Sequence, residues 1–264
     1  MKILMYLADV YLYPNSFEDL VYASQLLQAD AIKYGVEHFR RCRGYTMGSV
    51  YWQFNDCWPV ASWSSVDSLG RYKALHYAAK KFYAPVAMGL FLENDKLTVN
   101  IANETMSDFE GSIKVCFSDC EFNVSVSCEK DVAVGALSSL DVYTTDTAYE
   151  NKYGEYMYAE LYDKDGNFIM RQTELYVKPK HFEWKKPNIS VDVYEKEGGA
   201  VIELSSDVFT KGVFIDFDNC DPVLSDNFFD IVNKEKVRID ASTDVSIEDL
   251  KKQIKIKTVY NIGR

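Results

Sequence analysis

Apolar residues recur at helical spacing in the first third of the chain and alternate in short blocks afterwards. The stretch NSFEDLVYASQLLQADAIKYGVEHFRRCR places Leu20, Ala23, Leu27, Ile32, Val36 and Phe39 near a helical period. Ser16 stands where an N-cap belongs, with Asp19 three places on, and Gly44 follows the last turn. One long amphipathic helix is expected there. GSVYWQF (48–54) is apolar on both parities, as a strand buried on two faces would be. RYKALHYAAKKFY (71–83) reads as a second helix after Gly70. The opening MKILMYLADVYLY, broken by Asp9, reads as a buried strand or a helix start. With no small-residue cleavage site after it, it does not read as a secretion signal. Helix, buried strand, polar loop and helix are the grammar of a β/α barrel. Such a barrel takes about 250 residues, so residues 1–86 supply about two of its units. They are either a small α/β domain of another kind or a barrel tail.

The pattern changes near Pro85 and again near Pro187. KLTVNIAN, GSIKVCFS, EFNVSVSC, EYMYAELYD and FIMRQTELYV are short strands parted by turns such as NETMSD and KDGN. NISVDVYEK, GAVIELSS, KGVFIDFD, KVRIDAS and IKIKTVYN repeat the pattern, with SIEDLKKQ as a helical turn. Two β-sandwiches are expected, over 87–184 and 185–264, joined by KPKHFEWKKP. SDNFFD (225–230) reads as a loop anchor, with one Phe in the core and Asp forming the turn.

Charge and composition narrow the function classes. A non-specific nucleic-acid binder needs a basic face, and with a net charge of -11 no nucleic-acid partner is expected. The cations of FRRCR (39–43) suit the end of a helix. No stretch reaches the length of a membrane span, so no membrane partner is expected. Six Cys without a CxxC pair, and three His, argue against structural zinc; no metal and no cofactor are expected. Cys116 and Cys120 are about 13 Å apart along an extended strand, too far to bridge. Buried free thiols and a cytoplasmic location are the expectation. An aromatic content of 14% fits β-rich domains or sugar-binding surfaces.

The chemistry concentrates in YWQFNDCWPVASWSS (51–65), which holds three of the four Trp. At the end of a barrel strand, Trp52, Asn55, Asp56 and Trp58 would face a site. A Trp ring offers an apolar face to a sugar, and Asn and Asp hydrogen-bond its hydroxyls. By spacing alone the same residues could close a domain core, with Asp56 capping a turn.

SFEDLVYASQLLQADAIKYGVEHFRR, followed by MGSVYWQFNDCWPVASWSSVDSLGRYKALHYAAKKFYAPV, resembles the end of the catalytic barrel of family 2 glycoside hydrolases, nearest the β-mannosidases. KPKHFEWKKPNISV resembles the join between their two C-terminal immunoglobulin-like sandwiches, and LSDNFFDIVNKEKVRI resembles part of the last one. The resemblance covers residues 14–264. It implies a multidomain chain: the tail of a (β/α)8 barrel over 1–86, then two immunoglobulin-like sandwiches. It also implies a retaining exo-hydrolase of terminal β-linked mannose that uses two Glu, about 5–5.5 Å apart. Both Glu of the family precede the block seen here, and neither Glu18 nor Glu37 matches them. The resemblance therefore assigns no catalytic residue to this chain and implies that it is inactive alone. Trp52 matches the family's platform under the terminal sugar, and Asn55 and Asp56 match positions beside it. Trp58, Trp63, Arg71 and His76 match family positions with an expected packing role. The other reading is a non-catalytic carbohydrate-binding or interaction module. An isolated barrel strand exposes edges and an apolar face. Residues 1–86 are thus expected to lean on the first sandwich, to self-associate, or to pair with the missing N-terminal part.

Overall fold

A computed structural model describes residues 2–147 and 149–264; Met1, the first residue of the opening apolar run, lies outside the described residues. The N-terminal segment is helical: α1 (Lys2–Val10), α2 (Phe17–Arg41) and α3 (Ala74–Phe82). The Asp19 amide donates to Ser16 Oγ at 3.0 Å, so the predicted cap starts α2. The buried face of α2 is turned from the expected one. It consists of Asp19, Tyr22, Ala23, Leu26, Ala29, Val36 and Glu37. Leu20, Leu27 and Ile32 are only partly buried, and Phe39 is exposed. The reason is that three polar residues of this face bond to the sandwiches, which apolar periodicity cannot show.

The expected buried strand over 48–54 does not form. Among the described residues, the segment between α2 and α3 holds isolated bridges but no strand. Val50, Trp52 and Phe54 are 98%, 74% and 62% exposed. A strand takes its hydrogen bonds from neighbours, and among the described residues no other strand pairs with this stretch.

The rest is almost all β. The first sandwich packs β1 (Val86–Glu93), β2 (Lys96–Asn103) and β5 (Ser138–Asp146) in one sheet, ordered β1-β2-β5. Its second sheet, ordered β4-β3-β6-β7, holds β3 (Phe109–Asp119), β4 (Val124–Val134), β6 (Glu155–Asp163) and β7 (Phe168–Leu175). Every pairing is antiparallel. Sheets of three and four strands are an immunoglobulin-type arrangement. Leu97, Val99, Ile113, Val115, Met157 and Leu161 fill the space between them. The sequence pattern missed β1, whose apolar run has no alternation, and β5, which is mostly polar.

The second sandwich has the same plan. One sheet is ordered β11-β13-β9-β8, from β8 (Ile189–Lys196), β9 (Gly199–Ser206), β11 (Val223–Leu224) and β13 (Val237–Ser242). The other is ordered β12-β10-β14, from β10 (Thr210–Phe217), β12 (Phe229–Ile231) and β14 (Ile254–Lys257). Helix α4 (Ile247–Gln253), capped by Ser246, precedes the last strand. The 225–230 loop is anchored more heavily than expected. Asn227 bonds both the amide and the carbonyl of Ile215, at 2.8 and 2.9 Å. Phe229 is buried, Phe228 stacks on Phe214 with ring centres 4.6 Å apart, and Asp230 pairs with Lys211.

Rings join the two sandwiches. Phe209 stacks on Tyr156 with centres 3.7 Å apart and lies 5.8 Å from Trp184 of the connecting segment. The Phe209 amide donates to the Cys120 carbonyl at 2.8 Å. The helices dock on both sandwiches. Arg41 pairs with Asp141 at 2.8 Å and Arg43 with Glu104, so FRRCR tethers α2 to the first sandwich as well as suiting its helix end. Tyr22 Oη donates to the Gly212 carbonyl at 2.5 Å, and Lys257 pairs with Asp19 at 2.9 Å, both to the second. All six Cys are free; Cys116 and Cys120 are buried, Cys128 is partly buried and Cys57 is exposed.

Candidate functional site

The loop between α2 and α3 is built around one carboxylate. The chain doubles back so that Val66 N donates to Phe54 O at 2.9 Å and Asp56 N to Val66 O at 3.0 Å. This turns the buried Asp56 side chain inward. Its Oδ1 accepts from Ser62 Oγ at 2.5 Å; its Oδ2 accepts from Ser64 Oγ at 2.6 Å and Lys73 Nζ at 2.9 Å. The two serine hydroxyls and then the ammonium hold the carboxyl down to about 2. Asp56 therefore stays ionised with both oxygens engaged. It cannot donate a proton near neutrality, and it shapes the loop.

Further bonds fix the loop on the helices. Gln28 Nε2 donates to the Trp63 carbonyl at 2.8 Å, and Gln25 Oε1 accepts from Ala74 N at 3.0 Å. Tyr51 Oη and Ser65 Oγ are 2.9 Å apart, and His76 stacks on Tyr72 with centres 4.1 Å apart. The Trp52–Gln53 peptide is cis. Along 49–54 the side chains alternate. Ser49, Tyr51 and Gln53 are half-buried, and Tyr51 packs against the α2–α3 core of Val36, Leu75 and Phe82. Val50, Trp52 and Phe54 point the other way, into solvent.

Of the residues singled out from sequence, Trp52 is exposed on the outer face. Asn55 is also exposed and donates from Nδ2 to the Asp56 carbonyl at 3.2 Å. Asp56 lies beneath them. Trp58 and Trp63, expected to pack, are 64% and 69% exposed. Arg71 is exposed and pairs with Asp67 at 2.7 Å, while His76 is partly buried as expected. The stretch is thus neither a core corner nor an enclosed site. It is a loop with its rings outside, held by a polar spine. Lys73 and the serines that complete the spine went unread. The run of small polar residues was the visible signal, but it does not show which carboxylate they serve. Among the described residues, no cluster of three or more His, Cys, Asp or Glu is arranged to hold a metal ion.

Residues 95–181 match the mannosidase Ig/CBM-like domain family, and residues 184–262 match the mannosidase Ig-fold domain family. The β-mannosidase of Capra hircus is 38% identical over 115 residues, covering 39% of this chain and 13% of the relative. The β-D-mannosidase structure from Dictyoglomus thermophilum superposes with a TM-score of 0.88 over 97% of this chain, at 27% identity. The chain carries two mannosidase immunoglobulin-type domains and is similar to β-mannosidases. It corresponds to a C-terminal portion of such proteins, spanning 32% of the Dictyoglomus chain. An exo-chitosanase of Amycolatopsis orientalis shares the fold, with a TM-score of 0.76 at 16% identity. The family matches span the two sandwiches, whereas the structural likeness to the Dictyoglomus protein extends over 97% of this chain.

Proposed function

We propose that this chain is the C-terminal part of a retaining β-mannosidase that removes terminal β-linked mannose, and that residues 1–86 complete its barrel. The observation that carries this reading is the two-sided stretch 49–54. Tyr51 faces α2 and α3, while Val50, Trp52 and Phe54 face away. A barrel strand has such sides, one toward its helices and one toward the barrel interior. In this reading the upstream barrel covers the open face and supplies both catalytic Glu. Trp52 is the platform under the sugar, Asn55 contacts hydroxyls or orients that wall, and Asp56 positions it from behind. The glycan is a partner of the whole enzyme, and neither Glu18 nor Glu37 of this chain takes the place of the family's catalytic pair in this reading. The exposure of Trp52, Trp58 and Trp63 supports a second reading, a non-catalytic sugar-binding module.

Hydrolysis of an aryl β-mannoside separates them. The purified chain should give no turnover, and co-expression with an upstream barrel portion from the family should restore it. Trp52→Ala should then lower kcat/KM of the restored enzyme at least tenfold. Turnover by the 264-residue chain alone would overturn the reading. Mannoside binding by the chain alone, weakened by Trp52→Ala and without restored turnover, would favour the module.

A further inference from the structure

Helix α2 is held to the sandwiches by an ionisable cluster whose charges do not balance. Asp30, Lys33 and Glu37 recur every three or four residues on one side of α2. Asp30 and Lys33 line a cavity of about 500 Å3 with Thr173 of β7, Lys211 of β10 and Asp230 of β12. Glu37 is only 7% exposed and accepts from Gln172 Nε2 of β7 at 3.0 Å. Glu174 lies two residues along the same face of β7 and acts electrostatically on Glu37.

The remaining polar groups around Glu37 are largely committed. Asp230 has Lys211 Nζ at 3.2 Å, the Gly212 amide at 2.8 Å and the Thr173 hydroxyl. Asp30 has the Tyr11 hydroxyl at 3.1 Å. Arg40 donates to the carbonyls of Phe82 and Ala84 at 2.5 and 2.9 Å. Arg171 is held by Glu160, with Glu235 at 3.8 Å. That leaves the carboxyls Asp30, Glu37, Glu174 and Asp230 facing the cations Lys33, Arg40 and Lys211. Fully ionised, the cluster carries one negative charge too many. Glu37, whose hydrogen-bond partner is a neutral amide, is where the excess falls.

We infer that Glu37, with Glu174 beside it, is a proton-operated latch that holds α2 on the first sandwich in acid and loosens it as pH rises. Burial raises Glu37 from 4.5 to about 7, and burial also raises Glu174. Docked, Glu37 keeps a proton that a solvated Glu37 would release near 4.5. Docking is therefore strongest below that value, weakens up to about tenfold per pH unit for one linked proton, and levels off above about 7. Because Gln28 of α2 holds the Trp63 carbonyl, loosening α2 also loosens the aromatic wall. The inference is independent of the glycosidase reading.

Hydrogen exchange on the whole chain tests it, with rates corrected for intrinsic pH dependence. Between about pH 5 and about pH 8, amides of α2 from Asp30 to Arg40 should lose at least tenfold in protection, while those of β6 hold theirs. Glu37→Gln keeps an acceptor for Gln172 and should abolish the response. A response in Glu37→Gln equal to the parent's, or none in the parent, overturns the latch. If Glu37→Gln does not fold, Glu174→Gln takes its place. A reduced response supports the latch, and an unchanged one overturns it.

Discussion

Single side chains in this molecule matter through the backbone they hold. Asp56 organises the aromatic loop through Ser62, Ser64 and Lys73. Its carboxyl lies near 2, below the ordinary 3.8, so its contribution is complete above about pH 4 and is lost as pH falls toward 2. Three of the four Trp sit in this loop, so tryptophan anisotropy reports its order. Anisotropy should fall in acid for the parent. Asp56→Asn should start lower at neutral pH and show little further change; an anisotropy equal to the parent's would refute the role. Tyr22 ties α2 to β10 through the buried Gly212 carbonyl. Tyr22→Phe should cost about 1–2 kcal/mol in denaturant unfolding, since the acceptor stays buried without its donor. The sequence exposed Asp56 and the Trp rings as candidates. It could not show that the Asp faces inward and the rings outward, because that depends on where the loop doubles back.

Elements formed where local signals were strong. The Ser16 cap, the helix behind it and apolar strands bounded by turn signals, such as β2, β6 and β9, were all legible. Ser16→Ala should lower stability by about 1 kcal/mol, read as a drop in Tm with the fold intact. Legibility failed where an element depends on its neighbours. The 48–54 stretch has strand composition but no strand beside it, and β5 is polar yet paired with β2 along its length. Gly212 is a further case. It sits at φ +66°, and a Cβ there would come within 2.8 Å of Tyr22 Oη and 3.2 Å of Leu26 Cδ1. Gly212→Ala should destabilise by more than about 1 kcal/mol and should disturb the α2 contact first. Unchanged hydrogen exchange across α2 in that variant would count against the close approach being required.

At the scale of the molecule, the helices and the two sandwiches share buried joints rather than hanging from linkers. Phe209 is the ring through which Tyr156, Phe182 and Trp184 meet the second sandwich. Phe209→Ala should cost about 3–5 kcal/mol and split unfolding into two resolvable transitions, one per sandwich, in calorimetry. A single transition at nearly the parent Tm would show that the stack does not couple them. The sequence by itself determined that the chain is helical first and β-rich afterwards, that it changes character near Pro85 and Pro187, and that it resembles the C-terminal part of a β-mannosidase. Those features rest on periodicity, turn chemistry and local motif, which are written in consecutive residues. Only the tertiary structure decided which face of α2 is buried, which carboxyls lose their water and which rings stay open. Burial and hydrogen-bond partnership arise between residues far apart in the chain: Gln172 beside Glu37, Gly212 beside Tyr22, Lys257 beside Asp19.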